Sequence, residues 1–131
     1  SLDTDLEAKF EAAESLLSAW DVVVVHIKGT DVAAHDKLPE AKRHFIEQVD
    51  AALGRFLARR PPGPGLQVLV TADHGTSSIS GVHMRDPSPV LLGTWNGAST
   101  EQAEFDEFSA PRGALGTLHG GELFHLLVQE A

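Results

Sequence analysis

Residues 22–35 read VVVVHIKGTDVAAH, and this stretch decides the fold that the sequence predicts. Residues 22–27 are β-branched except for His26 and show no alternation of apolar and polar side chains. Such a run predicts a strand covered on both faces, which is typical of parallel sheets with flanking helices. Asp31 and His35 follow four positions apart, a spacing that lets both side chains share one helical turn. The stretch therefore predicts an α/β fold with polar side chains just beyond a strand.

One helix is predicted before this strand and another after it. Upstream, Thr4 and Glu7 form a capping-box pattern, which indicates a helix N-terminus. The apolar positions of this helix recur in steps of four and three: Leu6, Phe10, Ala13, Leu17 and Trp20. Downstream, a helix is predicted from Pro39 to about Arg60, because proline suits the first helical turn. Its apolar stripe is expected to contain Phe45, Ile46, Val49, Ala52, Leu53, Phe56 and Leu57.

A second strand is predicted at residues 66–70 (LQVLV), after the turn-forming sequence PPGPG. Strand 22–27, the helix from Pro39 and strand 66–70 together would make a βαβ unit, whose strands are parallel. Beyond this unit the sequence predicts, in order, a functional loop at 75–89, a short strand at 90–92, irregular chain at 94–120 and a helix at 122–129.

Composition narrows the classes of protein to which the chain can belong. Its 131 residues are 42% hydrophobic, enough for one buried core, so residues 1–131 are expected to form a single domain. A net charge of -9 disfavours nucleic acid and anionic membrane surfaces as partners. The lack of Cys excludes disulfides and thiolate metal sites. There is neither a signal-peptide pattern nor an apolar run of the roughly 20 residues that span a bilayer, so a soluble, cytoplasmic protein is expected.

Candidate metal ligands follow the first two predicted strands. Asp31 and His35 come after the first, the adjacent pair Asp73 and His74 after the second in TADHGT, and His83 lies in the loop beyond. Ligands in open α/β sheets bind beyond the carboxyl ends of the strands, so these five side chains are expected to converge. Carboxylate oxygen and imidazole nitrogen suit Zn, Mn or Co ions. The alternative for any one of these motifs is an ordinary turn or a hydrogen-bonded histidine.

Other polar residues near these motifs are weaker candidates for substrate binding or catalysis. Lys28 directly follows the first strand and could bind a substrate phosphate, although a lysine at a strand end is by default solvated. The hydroxyl residues after the Asp-His-Gly sequence are Thr76, Ser77, Ser78 and Ser80. No adjacent general base is evident for them in the sequence, so they are interpreted as loop residues rather than nucleophiles.

The sequences VVVVHIKGTDVAAHDK, VTADHGT and GVHMRDPSPV occur in an order that resembles the archaeal-type, 2,3-bisphosphoglycerate-independent (cofactor-independent) phosphoglycerate mutases of the alkaline phosphatase superfamily. The resemblance extends to LDTDLEAKFEAA at the start and GALGTLHGGELFHLLV at the end, so it covers nearly the whole chain. It implies part of an alkaline-phosphatase-like three-layer sandwich, with a mainly parallel sheet and flanking helices. Residues 1–131 would then be the C-terminal part of the metal-binding catalytic domain.

The resemblance also implies how the candidate ligands are shared. Asp31, His35 and His83 would hold one divalent ion, while Asp73 and His74 would help to hold a second. The ions would be Mn or Zn, with Co or Mg possible, two in the parent protein and one or two in this chain. In the family, the second ion also uses an aspartate and a nucleophilic serine upstream of the matched part, so no catalytic nucleophile is expected in this chain.

The resemblance implies that the chain is a fragment of a glycolytic isomerase, which interconverts 3-phosphoglycerate and 2-phosphoglycerate through a phosphoserine intermediate. The fragment alone is expected to be inactive and to self-associate through surface that the rest of the enzyme would cover. Two alternatives remain open: a metal-dependent phosphomonoesterase or phosphodiesterase of the same superfamily, and a non-catalytic metal-binding module.

Overall fold

The computed structural model of the protein describes residues 4–60, 63, 65–95 and 104–129. The chain forms two compact units, one from Ser1–Pro61 and Thr76–Met84, the other from Pro62–Gly75 and Arg85–Ala131. The chain therefore passes from the first unit to the second, returns to the first for residues 76–84, and then leaves again. The single-domain organisation expected for residues 1–131 stays a prediction.

Helix α1 of the first unit spans Leu6–Leu16, close to the expected position. Its N-cap is Asp5, whose Oδ1 accepts a hydrogen bond from the Ala8 backbone N–H at 2.9 Å. The capping box predicted from Thr4 is therefore wrong by one residue, because the Asp5 carboxylate is the group that reaches the third N–H of the helix. Trp20 lies beyond the helix and is 65% exposed, so the predicted apolar stripe ends earlier than expected.

Helix α3 spans Pro39–Ala58, with its proline in the first turn as predicted. Phe45, Ala52 and Phe56 of this helix are buried, and the ring of Phe56 lies 5.5 Å from the ring of Phe10 on α1. Ile46 is 49% exposed, which contradicts its predicted place in the buried stripe. The amphipathic pattern thus located the helix correctly but overestimated the width of its buried face.

Helix α2, Gly29–His35, lies between these two helices in the sequence and packs closely on α3. Ala33 and Ala34 are fully buried, and a Cβ on Gly29 would lie only 2.4 Å from the ring of Phe45. Small side chains on α2 therefore allow the two helices to approach each other closely. The sequence predicted a helical turn here, not a helix with its own packing face.

Residues 22–27 do not form the strand predicted from their β-branched side chains. Within the part of the chain that the structure describes, their backbone makes no hydrogen bond to other backbone groups. Exposed and half-buried side chains alternate along the segment, and Val24 is 85% exposed, so burial on both faces is also wrong. β-branched residues favour extended backbone, but a strand forms only where a neighbouring strand completes its hydrogen bonds.

The second unit contains β1, Gln67–Val70, and β2, Leu91–Thr94, paired antiparallel with Gln67 opposite Thr94. Both strands were predicted to within two residues, and the sheet that the structure describes contains only this antiparallel pair, so the parallel βαβ unit is not shown. Helix α4, Gly120–Gln129, was predicted from its apolar spacing. Part of the irregular segment predicted at 94–120 lies outside the described residues.

The described part of 104–119 contains turns and a short 3₁₀ helix at Ala110–Arg112. Before this helix, the Ser109 and Phe108 backbone N–H groups donate to Asp106 Oδ1 at 2.6 and 2.9 Å. These bonds hold the pKa of Asp106 below its usual range. Among the helices described, none has the length and apolar character needed to cross a membrane.

Candidate metal centre

Three of the predicted ligands lie together in the first unit. Helix α2 supplies Asp31 and His35, and the loop after Thr76 supplies His83. The Nε2 atom of His35 is 3.3 Å from Asp31 Oδ1 and 3.1 Å from His83 Nε2. The third side of the triangle, from His83 Nε2 to Asp31 Oδ1, measures 3.8 Å. We refer to Asp31, His35 and His83 as the triad.

The donor atoms of the triad fit a divalent transition-metal ion. Tetrahedral ligands about 2.1 Å from a zinc ion lie about 3.4 Å from one another. The three measured separations, 3.3, 3.1 and 3.8 Å, bracket this value. One carboxylate oxygen with two imidazole nitrogens is also a donor set that Zn and Mn accept. The side chains therefore have both the spacing and the chemistry to hold one ion.

Local structure fixes the orientation of the His35 imidazole. Asp31 and His35 are four residues apart on α2, so their side chains lie on the same face of the helix. The Nδ1 atom of His35 lies 2.7 Å from the carbonyl oxygen of Gly81. A carbonyl accepts only, so Nδ1 must carry the proton, and the lone pair of Nε2 is directed at the centre of the triad.

His83 is placed by a tight reversal of the chain between residues 76 and 83. Thr76 and His83 form an antiparallel β-bridge, and the Ser77 N–H donates to the Val82 carbonyl at 3.0 Å. Gly81 has a φ of +75°, and a Cβ there would lie 3.0 Å from the carbonyl oxygen of His35. Glycine therefore suits both the backbone conformation of this turn and its close approach to α2.

Thr76 is a residue of the site that the sequence did not identify. It is 6% exposed, and its hydroxyl donates a hydrogen bond of 2.8 Å to Asp31 Oδ1. Its carbonyl oxygen accepts a 2.9 Å hydrogen bond from the ammonium group of Lys42 on α3. The sequence showed no general base adjacent to this hydroxyl, whereas the structure places the carboxylate of Asp31 beside it. Thr76 and Asp31 are 45 positions apart, so no local spacing could have linked them.

The other predicted ligands, Asp73 and His74, belong to the second unit and lie three and four residues after the end of β1, as expected for side chains beyond a strand end. Their side chains approach each other, with His74 Nε2 3.5 Å from Asp73 Oδ2. The His74 backbone N–H also donates to Asp73 Oδ1 at 3.0 Å. Convergence of all five donors stays a prediction. Lys28, the exposed residue before α2, likewise keeps its phosphate-binding role only as a prediction.

Comparison with known proteins gives consistent matches along the chain. Residues 2–130 match the Metalloenzyme superfamily. The chain is 36% identical to the 2,3-bisphosphoglycerate-independent phosphoglycerate mutase of Picrophilus torridus, over 87% of this chain and 28% of that protein. It is 41% identical to the protein of the same name from Metallosphaera sedula, over 87% of this chain and 27% of the relative.

A solved structure is also similar, that of the PH0037 protein from Pyrococcus horikoshii. The two superpose with a TM-score of 0.89 at 31% sequence identity, over 98% of this chain and 39% of the other. The chain thus spans less than a third of the length of these two mutases and about two fifths of the solved protein.

Proposed function

Because the chain belongs to the Metalloenzyme superfamily, we propose that it is the metal-binding part of a phosphoglycerate mutase. The complete enzyme would interconvert 3-phosphoglycerate and 2-phosphoglycerate through a phosphoserine. The serine nucleophile implied by the resemblance lies outside the part of the family pattern that this chain matches. The fragment is therefore a binding scaffold for ions and phosphate, without turnover of its own.

The observation that carries this proposal is the geometry of the triad. Asp31, His35 and His83 come from two separate segments, and their donor atoms lie 3.1–3.8 Å apart. We assign these residues to one divalent ion, and Asp73 with His74 to a second. Manganese or zinc suits the donors best, with cobalt or magnesium as further candidates. Two such ions, when bound, would offset the charge of a transferring phosphoryl group and orient it.

Several protein groups would help the ligands to bind the ion and the substrate. The carbonyl of Gly81 holds the proton of His35 on Nδ1, so Nε2 is ready to bind without a change of tautomer. The carboxylate of Asp31 faces both imidazoles. Lys28, exposed at the start of α2, would offer a positive charge to the phosphate of the substrate.

Two measurements test the proposal. Titration of the chain with Mn²⁺ or Zn²⁺, with elemental analysis, should give one or two ions per chain. The complete enzyme, supplied with 3-phosphoglycerate, should form 2-phosphoglycerate. Release of inorganic phosphate in place of the isomer would instead identify a phosphomonoesterase. Metal binding without either reaction in the complete enzyme would identify a non-catalytic metal-binding module.

A further inference from the structure

Thr76 is in contact with both segments that build the triad. Its side chain reaches α2, where the hydroxyl donates to Asp31 Oδ1 at 2.8 Å. Its backbone pairs with that of His83 in the β-bridge. One residue thus connects a proposed ligand on a helix to a proposed ligand on a loop.

The acceptor atom of this hydrogen bond is also the atom that faces the imidazoles. Asp31 Oδ1 lies 3.3 Å from His35 Nε2 and 3.8 Å from His83 Nε2. A carboxylate on a helix can otherwise rotate about its side-chain bonds and lose this alignment. A hydroxyl that donates to it from a fixed position limits that rotation and lowers the entropy lost when an ion binds.

Thr76 itself is held firmly. It is 6% exposed, and Thr76 is the one buried polar residue among those that the structure describes. The Lys42 ammonium group, on α3, donates to its carbonyl oxygen at 2.9 Å. The backbone of Thr76 is therefore fixed by α3 on one side and by the bridge to His83 on the other.

A hydroxyl beside a carboxylate is also the arrangement of an activated nucleophile and its base. Burial argues against that role, because a nucleophile must reach the phosphorus of a substrate, and Thr76 is almost fully covered. Its hydroxyl proton is directed at Asp31, which is itself a proposed ligand. A role in orienting Asp31 fits these contacts better than a role in covalent chemistry.

We propose that Thr76 is a positioning residue, which sets the metal affinity of the triad by orienting the carboxylate of Asp31. This inference rests on the proposed function, because it requires the triad to bind an ion. It adds to that function a residue that is neither a ligand nor a nucleophile. The proposed effect on metal affinity depends on the hydroxyl group. Valine has nearly the same bulk as threonine but lacks this group, so it should remove the effect.

The test compares Thr76→Val, which keeps the shape and removes the donor, with Thr76→Ser, which keeps the donor. Calorimetric titration of the chain with Mn²⁺ and Zn²⁺ should show affinity reduced about 10- to 100-fold by Thr76→Val, the usual range for a group behind a ligand. Thr76→Ser should stay within about threefold of the unaltered chain. Thr94→Val, at an exposed threonine of β2, is the matched control and should have no effect.

Two further readouts separate positioning from general damage to the fold. The melting temperature of metal-free Thr76→Val should fall only by the several degrees that correspond to the loss of one hydrogen bond of about 1 kcal/mol, while the absorption spectrum of bound Co²⁺ should change. If Thr76→Val does not fold, Thr76→Ala removes the same donor with less bulk. Equal affinity of Thr76→Val and the unaltered chain, or equal loss in the valine and serine variants, would overturn the inference alone. An unaltered chain that binds no ion would overturn the proposed function as well.

Discussion

His35 Nδ1 lies 2.7 Å from the carbonyl oxygen of Gly81, 46 positions further along the chain. This hydrogen bond selects the tautomer of His35 and also joins α2 to the loop that presents His83. A change at Gly81 should therefore affect both the stability of the first unit and the affinity of the triad for an ion.

Gly81→Ala should destabilise the chain and weaken metal binding. The φ of Gly81 is +75°, a conformation that costs an alanine about 1 kcal/mol, and its Cβ would lie 3.0 Å from the carbonyl of His35. Denaturant unfolding of the metal-free chain and calorimetric titration measure the two effects. Gly54→Ala is the control: Gly54 lies within α3 with open space around it, so alanine should stabilise the helix by about 0.5–1 kcal/mol. Unchanged stability of Gly81→Ala would contradict the argument.

Asp31→Asn should reduce the affinity of the triad for Mn²⁺ or Zn²⁺ by more than the roughly 100-fold expected of a supporting group. The substitution removes the negative charge that faces His35 and His83 while keeping the size of the side chain. Asp36→Asn makes the same chemical change at an exposed position just beyond α2 and should leave binding unaltered. Equal titration curves for the two variants would argue that Asp31 is not a ligand.

Gly29→Ala should disturb the packing of α2 on α3. Its Cβ would lie 2.4 Å from the ring of Phe45, a buried side chain with little room to move. Overpacking of this kind typically costs about 1–3 kcal/mol. Phe45→Leu in the same chain should recover part of the loss, because the smaller side chain leaves space for the new methyl group. Chemical denaturation of the single and double variants measures the coupling, and strict additivity would contradict the proposed clash.

The sequence predicted the local elements better than their arrangement. Helices α1, α3 and α4 and strand β1 follow from apolar spacing and turn residues, which act over a few positions. Asp31 and His35 were expected to share one helical turn, and their side chains do lie 3.3 Å apart on α2, while their binding of one ion stays a prediction. The β-branched side chains of residues 22–27 indicate extended backbone, but no local signal in the sequence reveals whether a neighbouring strand is available. Thr76 was missed for a related reason, since its hydrogen bond to Asp31 depends on tertiary packing.

The same segment, residues 22–27, is expected to promote self-association of the chain. Within the described structure its backbone lacks backbone hydrogen-bond partners, and Val24 is 85% exposed. An apolar segment without backbone partners can pair with another chain, and a lysine in that segment opposes such pairing. Val24→Lys should therefore lower the mass measured by light scattering and the binding of a hydrophobic dye. Val128→Lys adds the same charge at a 40% exposed valine of α4. It should lower the mass and the dye binding less than Val24→Lys does. A monodisperse monomer that binds no dye before any substitution would count against self-association.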